Sequence, residues 1–287
     1  MAGSGIDVDA AVFVSFRSTS PIDWIDRIPM VSAIVVNGAA VSKPWMAMVH
    51  GMSQDHRVFS AQVEAFKPHF RILLIDLPGH GVSSALGGPF GHVEMAGHVE
   101  QALAANGAEN VSYWGTHTGA TLGLYLAATS PGLISTLILE GPLVPGANAP
   151  VVVGTIDRAK ETARRDGIAA AVDQWWRDSC WFEYMHAHPE PCRAAEHFAI
   201  VKAFTGRPWL DDRPSEPIAN VDALLSRIAI PALIYNGAAD HADFLDAAGN
   251  INDRLEKSRL KVVPDAGGFP AWENPVAVNR MVADFLD

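Results

Sequence analysis

The stretch VSYWGTHTGA at 111–120 is the clearest sign of chemistry in this sequence. An apolar run ends at Trp114, the residues GTHTG follow, and a helix-like apolar run comes next. This is the layout of a G-x-S-x-G turn, which joins a strand to a helix so sharply that its central side chain is exposed. The centre here is His117, so the turn offers an imidazole, a candidate general base, in place of an attacking hydroxyl.

The composition is typical of a folded domain. The 287 residues are 49% hydrophobic and 18% charged, which is enough for one large core carrying an insertion. A net charge of −11 without a dense Lys/Arg cluster argues against a nucleic-acid surface. We therefore expect a small-molecule substrate or ligand and no nucleic-acid partner.

The sequence lacks the usual patterns of export, membrane insertion and metal binding. The amino terminus lacks the pattern of a secretory signal, and no apolar run of about 18 residues indicates a membrane span. Cys180 and Cys192 fit neither a disulfide framework nor a zinc site. We expect a cytoplasmic protein with no membrane partner, no metal and no cofactor. Homo-oligomerisation is left open.

Short apolar runs alternate with helical patterns from residue 45 onward. The predicted strands are 45–49, 72–75, 111–114, 133–139, 232–235 and 260–263, and the predicted helices are 57–67, 92–106, 118–130, 243–256 and 275–286. This alternation predicts an α/β fold with a mostly parallel, twisted sheet and helices on both faces. The strands are too apolar to be half-exposed. Runs at 10–16 and 32–41 are interpreted as antiparallel edge strands.

The region 143–226 interrupts the alternation. It has helical patterns near 155–166, 168–180 and 190–204, with proline-rich joints beside them. We interpret it as a helical cap inserted into a core made of 1–142 and 227–287. Most of its tryptophans should pack in the interior. His186, His188 and His197 show no metal-ligand pattern, and we expect them at the surface.

Four motifs, in order, make this sequence similar to the α/β-hydrolase superfamily. They are HGM at 50–52, like the oxyanion loop; DLPGHGVS at 76–83, like the D-x-x-G-x-G-x-S turn; GTHTG at 115–119, like the nucleophile elbow; and FPAWENP at 269–275, like the segment after the catalytic histidine. The match runs from about residue 50 to the end. The resemblance implies an α/β-hydrolase fold with a nucleophile at the elbow, an acid after a late strand and a histidine near the end.

Two of the three positions implied by this resemblance depart from the pattern. The acid position holds Asp240, but the nucleophile position holds His117 and the histidine position holds Gly268. Glu140, after an earlier strand, is an alternative acid. Without a hydroxyl or a base at these positions, ordinary serine acyl-enzyme chemistry is not expected.

The two departures suggest a compensation. We hypothesise that His117 refills the volume that Gly268 leaves free and hydrogen-bonds to Asp240. The pair would then act as a general base on water or on the substrate. The backbone amides of Met52 and Thr118 would be the oxyanion donors, because side-chain changes hardly affect them. His50, in the same loop, is expected to be structural.

Two functions from different classes fit these residues. The first is a hydrolase or cofactor-free lyase that acts on a small, partly apolar molecule held between core and cap. The second is a catalytically silent binding protein or receptor, since some members of the superfamily lost triad residues and kept the fold. Fold alone does not decide between them.

Overall fold

The computed structural model describes residues 31–37 and 40–287. Within these residues, seven strands form one sheet: β1 (Ala33–Val36), β2 (Trp45–Val49), β3 (Arg71–Ile75), β4 (Val111–Thr116), β5 (Ile134–Glu140), β6 (Ala232–Gly237) and β7 (Ser258–Val263). Their order is β1-β3-β2-β4-β5-β6-β7. β1 pairs antiparallel with β3, and every other pair is parallel. The predicted fold class is confirmed. The predicted strand at 10–16 lies outside the described residues.

The helices of the core follow the strands closely. They are α1 (Ser60–Phe66), α2 (His92–Ala105), α3 (Thr118–Thr129), α10 (Ala242–Asn252), α11 (Pro270–Glu273) and α12 (Pro275–Leu286). Successive side chains of a strand point to opposite faces. Accordingly, Met46 and Met48 of β2 join one apolar cluster, and Ala47 and Val49 join another. The sheet is thus covered on both faces.

Six helices and no strand lie between β5 and β6. They are α4 (Pro150–Asp166), α5 (Ile168–Asp178), α6 (Glu183–Ala187), α7 (Ala194–Lys202), α8 (Arg207–Leu210) and α9 (Val221–Leu225), with a short 3-10 helix at Cys180–Phe182. We call α4–α9 the helical insertion. The domain boundaries at 143 and 226 stay a prediction. Among the described residues, no helix has the length and apolar character needed to cross a membrane.

The exposure of β7 corrects one expectation. Leu260 and Val262 are exposed, although the apolar run had suggested a strand covered on both faces. Among the described strands β7 is the last of the sheet, with a neighbour on one side only. Arg259 and Lys261 alternate with the apolar residues, as expected of an edge strand.

The turn between β4 and α3 depends on very close packing. A Cβ on Gly119 would lie 2.1 Å from the carbonyl oxygen of Val49. Only glycine allows the first turn of α3 to approach the end of β2 this closely. The approach brings the amino end of α3 beside the loop that follows β2.

Candidate active site

His117 occupies the strained centre of this turn. Its φ is 48° and its ψ is −109°, a conformation that L-residues rarely adopt. The backbone is held from both sides: the His117 amide donates to Glu140 O at 2.8 Å, and the Thr121 amide donates to His117 O at 3.0 Å. Strain of this kind costs about 1–3 kcal/mol and persists only where the surroundings enforce it. Here it aims the imidazole at a pocket.

The imidazole is held in a single orientation and tautomer. Nε2 of His117 lies 2.8 Å from Gly268 O. Because a carbonyl oxygen only accepts hydrogen bonds, Nε2 carries the hydrogen and Nδ1 carries the lone pair. Nδ1 has no hydrogen bond to any described residue. The ring meets Phe244 and Phe269 edge-on, at centroid distances of 5.0 and 4.9 Å. Burial lowers the pKa of His117 to about 4, so the ring is neutral at pH 7.

Glu273 holds the carbonyl that orients His117. Its Oε2 accepts hydrogen bonds from the amides of Gly267, at 2.6 Å, and Phe269, at 3.3 Å. These two residues flank Gly268, so the carboxyl group fixes the turn that presents Gly268 O to the imidazole. Sequence reasoning missed this residue. Its place in FPAWENP, four residues after Phe269, was the only signal that could have found it.

Asp240 does not pair with His117, contrary to our hypothesis. Its two carboxyl oxygens accept hydrogen bonds from Asn236 Nδ2 and from the His241 amide, both at 2.8 Å. The imidazole is turned to Gly268 O instead. Asp240 is 8% exposed, and burial raises its pKa to about 7. The structure therefore places a buried carboxyl group with a raised pKa where the resemblance implied a charged partner.

The space at Gly268 is filled from the helical insertion rather than by His117. A Cβ on Gly268 would lie 2.5 Å from the carbonyl oxygen and 2.9 Å from Cα of Trp181. Our expectation that His117 would fill this space was therefore wrong, because Trp181 lies there instead. The backbone of the 3-10 helix at Cys180–Phe182 covers the position where the superfamily pattern has its histidine.

Glu140, the alternative acid, is also engaged elsewhere. It is 1% exposed, and its Oε2 accepts a hydrogen bond from the Ala271 amide at 2.7 Å. Only its backbone carbonyl contacts His117 by hydrogen bonding. Burial raises the pKa of Glu140 to about 8, so the group is mostly protonated at pH 7.

The two predicted oxyanion donors lie at the same pocket. Met52 and Thr118 both line it. Within residues 31–37 and 40–287, neither amide donates a hydrogen bond to an acceptor. Thr118 is the first residue of α3, where the helix dipole favours negative charge. His50 steadies this loop, since its Nδ1 contacts Gly51 O at 2.8 Å and its Nε2 accepts from the Leu77 amide at 3.0 Å.

His197 is buried, which corrects its predicted surface position. It is 0% exposed, and its Nε2 lies 2.9 Å from Nε2 of Gln54. Since an amide NH2 group only donates, the histidine nitrogen accepts, and burial lowers the pKa of His197 to about 3. Its spacing from Ala194, Ile200 and Val201 on α7 is that of one apolar helix face and could have indicated burial. His186 and His188 are exposed, as predicted.

The pocket itself has a volume of about 260 Å³ and mostly apolar walls. The core contributes Met52, His117, Thr118 and other residues to the lining, and the helical insertion contributes residues of α4 with Trp175 and Trp181. The loop 143–147 between β5 and α4 completes the lining. No Lys, Arg, Asp or Glu is among the lining residues that the structure describes. Nor do the described residues contain a group of three or more His, Cys, Asp or Glu side chains arranged for a metal ion.

Comparisons with known proteins agree with this architecture. Residues 44–180 match a family model described as the alpha/beta hydrolase fold. The chain is 26% identical over 254 residues to a pimeloyl-[acyl-carrier protein] methyl ester esterase of Vibrio campbellii, covering 84% of this chain and 94% of the relative. It is 24% identical over 269 residues to a 2-succinyl-6-hydroxy-2,4-cyclohexadiene-1-carboxylate synthase of Serratia proteamaculans, covering 90% and 98%. Among solved structures, the enol-lactonase of Burkholderia xenovorans superposes with a TM-score of 0.75 at 22% identity, covering 89% of this chain and 96% of that one.

The contact between Gly268 and Trp181 makes the first prediction. Gly268→Ala should lower the free energy of unfolding by about 1–3 kcal/mol, because backbone atoms of the insertion must move. Gly249→Ala in α10 is the matched control, since nothing lies within 4 Å of its Cβ position. Urea denaturation measures both variants. Equal stability of the two would contradict the proposed steric contact.

The buried carboxyl group of Glu140 leads to the second testable prediction. Its folded-state pKa of about 8 lies above the ordinary value of 4.5. The stability it contributes is therefore fully present below about pH 4.5 and is lost as the pH rises through 8. Wild type loses this stability with rising pH and Glu140→Gln does not. The free energy of unfolding of Glu140→Gln relative to wild type should therefore grow by about 1–2 kcal/mol as the pH rises from about 6.5 to 9. Urea denaturation across this range tests it. The exposed Glu64→Gln is the control, and a Glu140→Gln curve parallel to wild type would refute the assignment.

Proposed function

Because the chain belongs to the α/β-hydrolase superfamily, we propose that it acts without a cofactor on a small, partly apolar carbonyl compound, with His117 as general base. One observation carries the proposal. Nδ1 of His117 and the amides of Met52 and Thr118 belong to the same apolar pocket, and none of them has a hydrogen-bond partner among the described residues. The relatives are named for a methyl ester and for a carboxylate, so carbonyl chemistry is within the range of similar proteins.

Ester hydrolysis is the reaction that best uses these groups. Nδ1 of His117 takes a proton from water as the water oxygen bonds to the carbonyl carbon. The carbonyl oxygen becomes an oxyanion, to which the amides of Met52 and Thr118 donate. The intermediate then breaks its bond to the alcohol oxygen, which takes the proton from Nδ1. An acid and an alcohol leave, and His117 is neutral again. Proton abstraction from a substrate carbon, as in a lyase, would use the same base and the same donors.

The strength of the base limits the expected rate. In a complete triad, a carboxylate stabilises the imidazolium that forms during the reaction. Here the group bonded to Nε2 is the Gly268 carbonyl, which carries only a partial charge. Burial also lowers the pKa of His117 to about 4. We therefore expect turnover slower than that of a hydrolase with a full triad.

The helical insertion serves as a cap in this proposal. α4, Trp175 and Trp181 supply apolar walls to the pocket. Low polarity around the reacting atoms strengthens the hydrogen bonds that the oxyanion accepts.

A catalytically silent binding protein is the alternative, and one observation favours it. No carboxylate of the described residues hydrogen-bonds to the imidazole of His117, so the site lacks the charge that usually supports a catalytic histidine. The apolar pocket would be retained in either function.

Substitution of His117 separates the two functions. With p-nitrophenyl esters of increasing chain length, wild-type protein should turn over and His117→Ala should fall to the uncatalysed rate, since the base is removed. His69→Ala, at an exposed histidine, should behave like wild type. Thermal shift with small carbonyl compounds accompanies the kinetics. Stabilisation of both proteins without turnover by either would instead support the binding function.

The pH profile of turnover tests the role of His117 directly. A general base works in its neutral form, so kcat/KM should rise as the pH increases through about 4 and then stay constant to neutral pH. A histidine with an ordinary pKa would place this rise near 6.5. Rates measured from about pH 3.5 to 8 on one ester decide between the two, and a rise centred near 6.5 would count against the half-buried, carbonyl-bonded imidazole as the base.

A further inference from the structure

We infer that the pocket accepts an uncharged ligand, a carbonyl compound with an apolar body, and rejects carboxylates and other anions. The position of the carbonyl group rests on the proposed function. The inference that the ligand is uncharged rests on the pocket walls alone, so it can be tested independently of the proposed function.

The walls offer no counter-charge. Twenty residues line the pocket, all of them described, and none is Lys, Arg, Asp or Glu. An ion moved from water into such a site loses its hydration, and only a charged partner or several hydrogen bonds offset the loss. A neutral ligand avoids this penalty.

The polar groups of the walls do not replace a cation. They are the side chains of His92, His117, Thr118 and Thr121, the indole N–H groups of Trp175 and Trp181, and the backbone amides of Met52 and Thr118. Burial lowers the pKa of both histidines, so they are neutral at pH 7. The Thr121 hydroxyl already donates to the carbonyl oxygen of Leu143. The site can therefore donate a few hydrogen bonds to a carbonyl or hydroxyl oxygen beside the elbow, but it holds no full positive charge for an anionic group elsewhere in the ligand.

Nearby carboxyl groups would add repulsion. Glu273 bonds to the amide of Phe269, a pocket residue, and Asp240 is close enough to raise the pKa of both Glu140 and Glu273. Whenever one of the three ionises, the potential near His117 becomes more negative. The chain as a whole carries 32 acidic and 21 basic residues, so its net negative charge also repels anions.

The volume limits the size of the apolar body. About 260 Å³ is just below the usual range of small-molecule sites, roughly 300–1,000 Å³. Within that volume each added methylene should tighten binding about fourfold, because it is buried against apolar walls. The gain should stop once the chain fills the pocket.

Methyl ketones test this without needing turnover. Calorimetry or thermal shift compares a series from propyl to octyl methyl ketone with hexyl methyl ketone bearing a terminal carboxylate. We expect affinity to rise with chain length and the carboxylate to bind at least about tenfold more weakly than its neutral parent. Equal binding of the two, or no binding by any ketone, would overturn the inference. Ketone binding without ester turnover would overturn only the proposed function.

A matched pair of variants tests the missing charge itself. Val153 lines the pocket and is 53% exposed, so a lysine there can reach the entrance without being buried. Val153→Lys should raise the affinity of the carboxylate relative to that of the neutral ketone about fivefold. Val82→Lys adds the same charge at a valine that is 51% exposed and lies outside the pocket. An equal gain in both variants would indicate a general charge effect and contradict the inference.

Discussion

The hydrogen bond from Nε2 of His117 to Gly268 O determines what this site can do. It selects the tautomer, and so it leaves Nδ1 as the basic nitrogen of this ring that a substrate could meet. Glu273 supports the bond from behind by holding the amides on both sides of Gly268. A carboxyl group thus still orients the imidazole, but it acts through a peptide group rather than by direct contact.

This arrangement lowers the amount of charge in the site. Serine-histidine-acid sites use an ionised carboxylate to stabilise a cationic imidazole. Here burial holds His117 neutral and raises the pKa of Asp240 to about 7 and of Glu140 to about 8. The apolar pocket and the neutral groups beneath it are consistent with each other, because both follow from the exclusion of water around the elbow.

Local sequence patterns were enough to predict most of the fold. Buried parallel strands need continuous apolar runs, so β2 to β6 were found, whereas the exposure of β7 depends on its place at the end of the sheet. The motifs located His117 and Asp240, but not their partners. The bond from the imidazole to Gly268 O joins residues that are 151 positions apart, and no local pattern encodes such a contact.

The backbone of Trp181 over Gly268 also bears on how this site could change over time. A histidine at 268 has no room until the turn at Cys180–Phe182 moves, and a serine at 117 has no base until that histidine is present. Each single step toward a serine hydrolase therefore passes through a strained or an inert protein. Because the backbone of the insertion is closed over this position, single substitutions cannot restore a serine-histidine-acid triad. Changes at 117, at 268 and in the turn at Cys180–Phe182 are needed together.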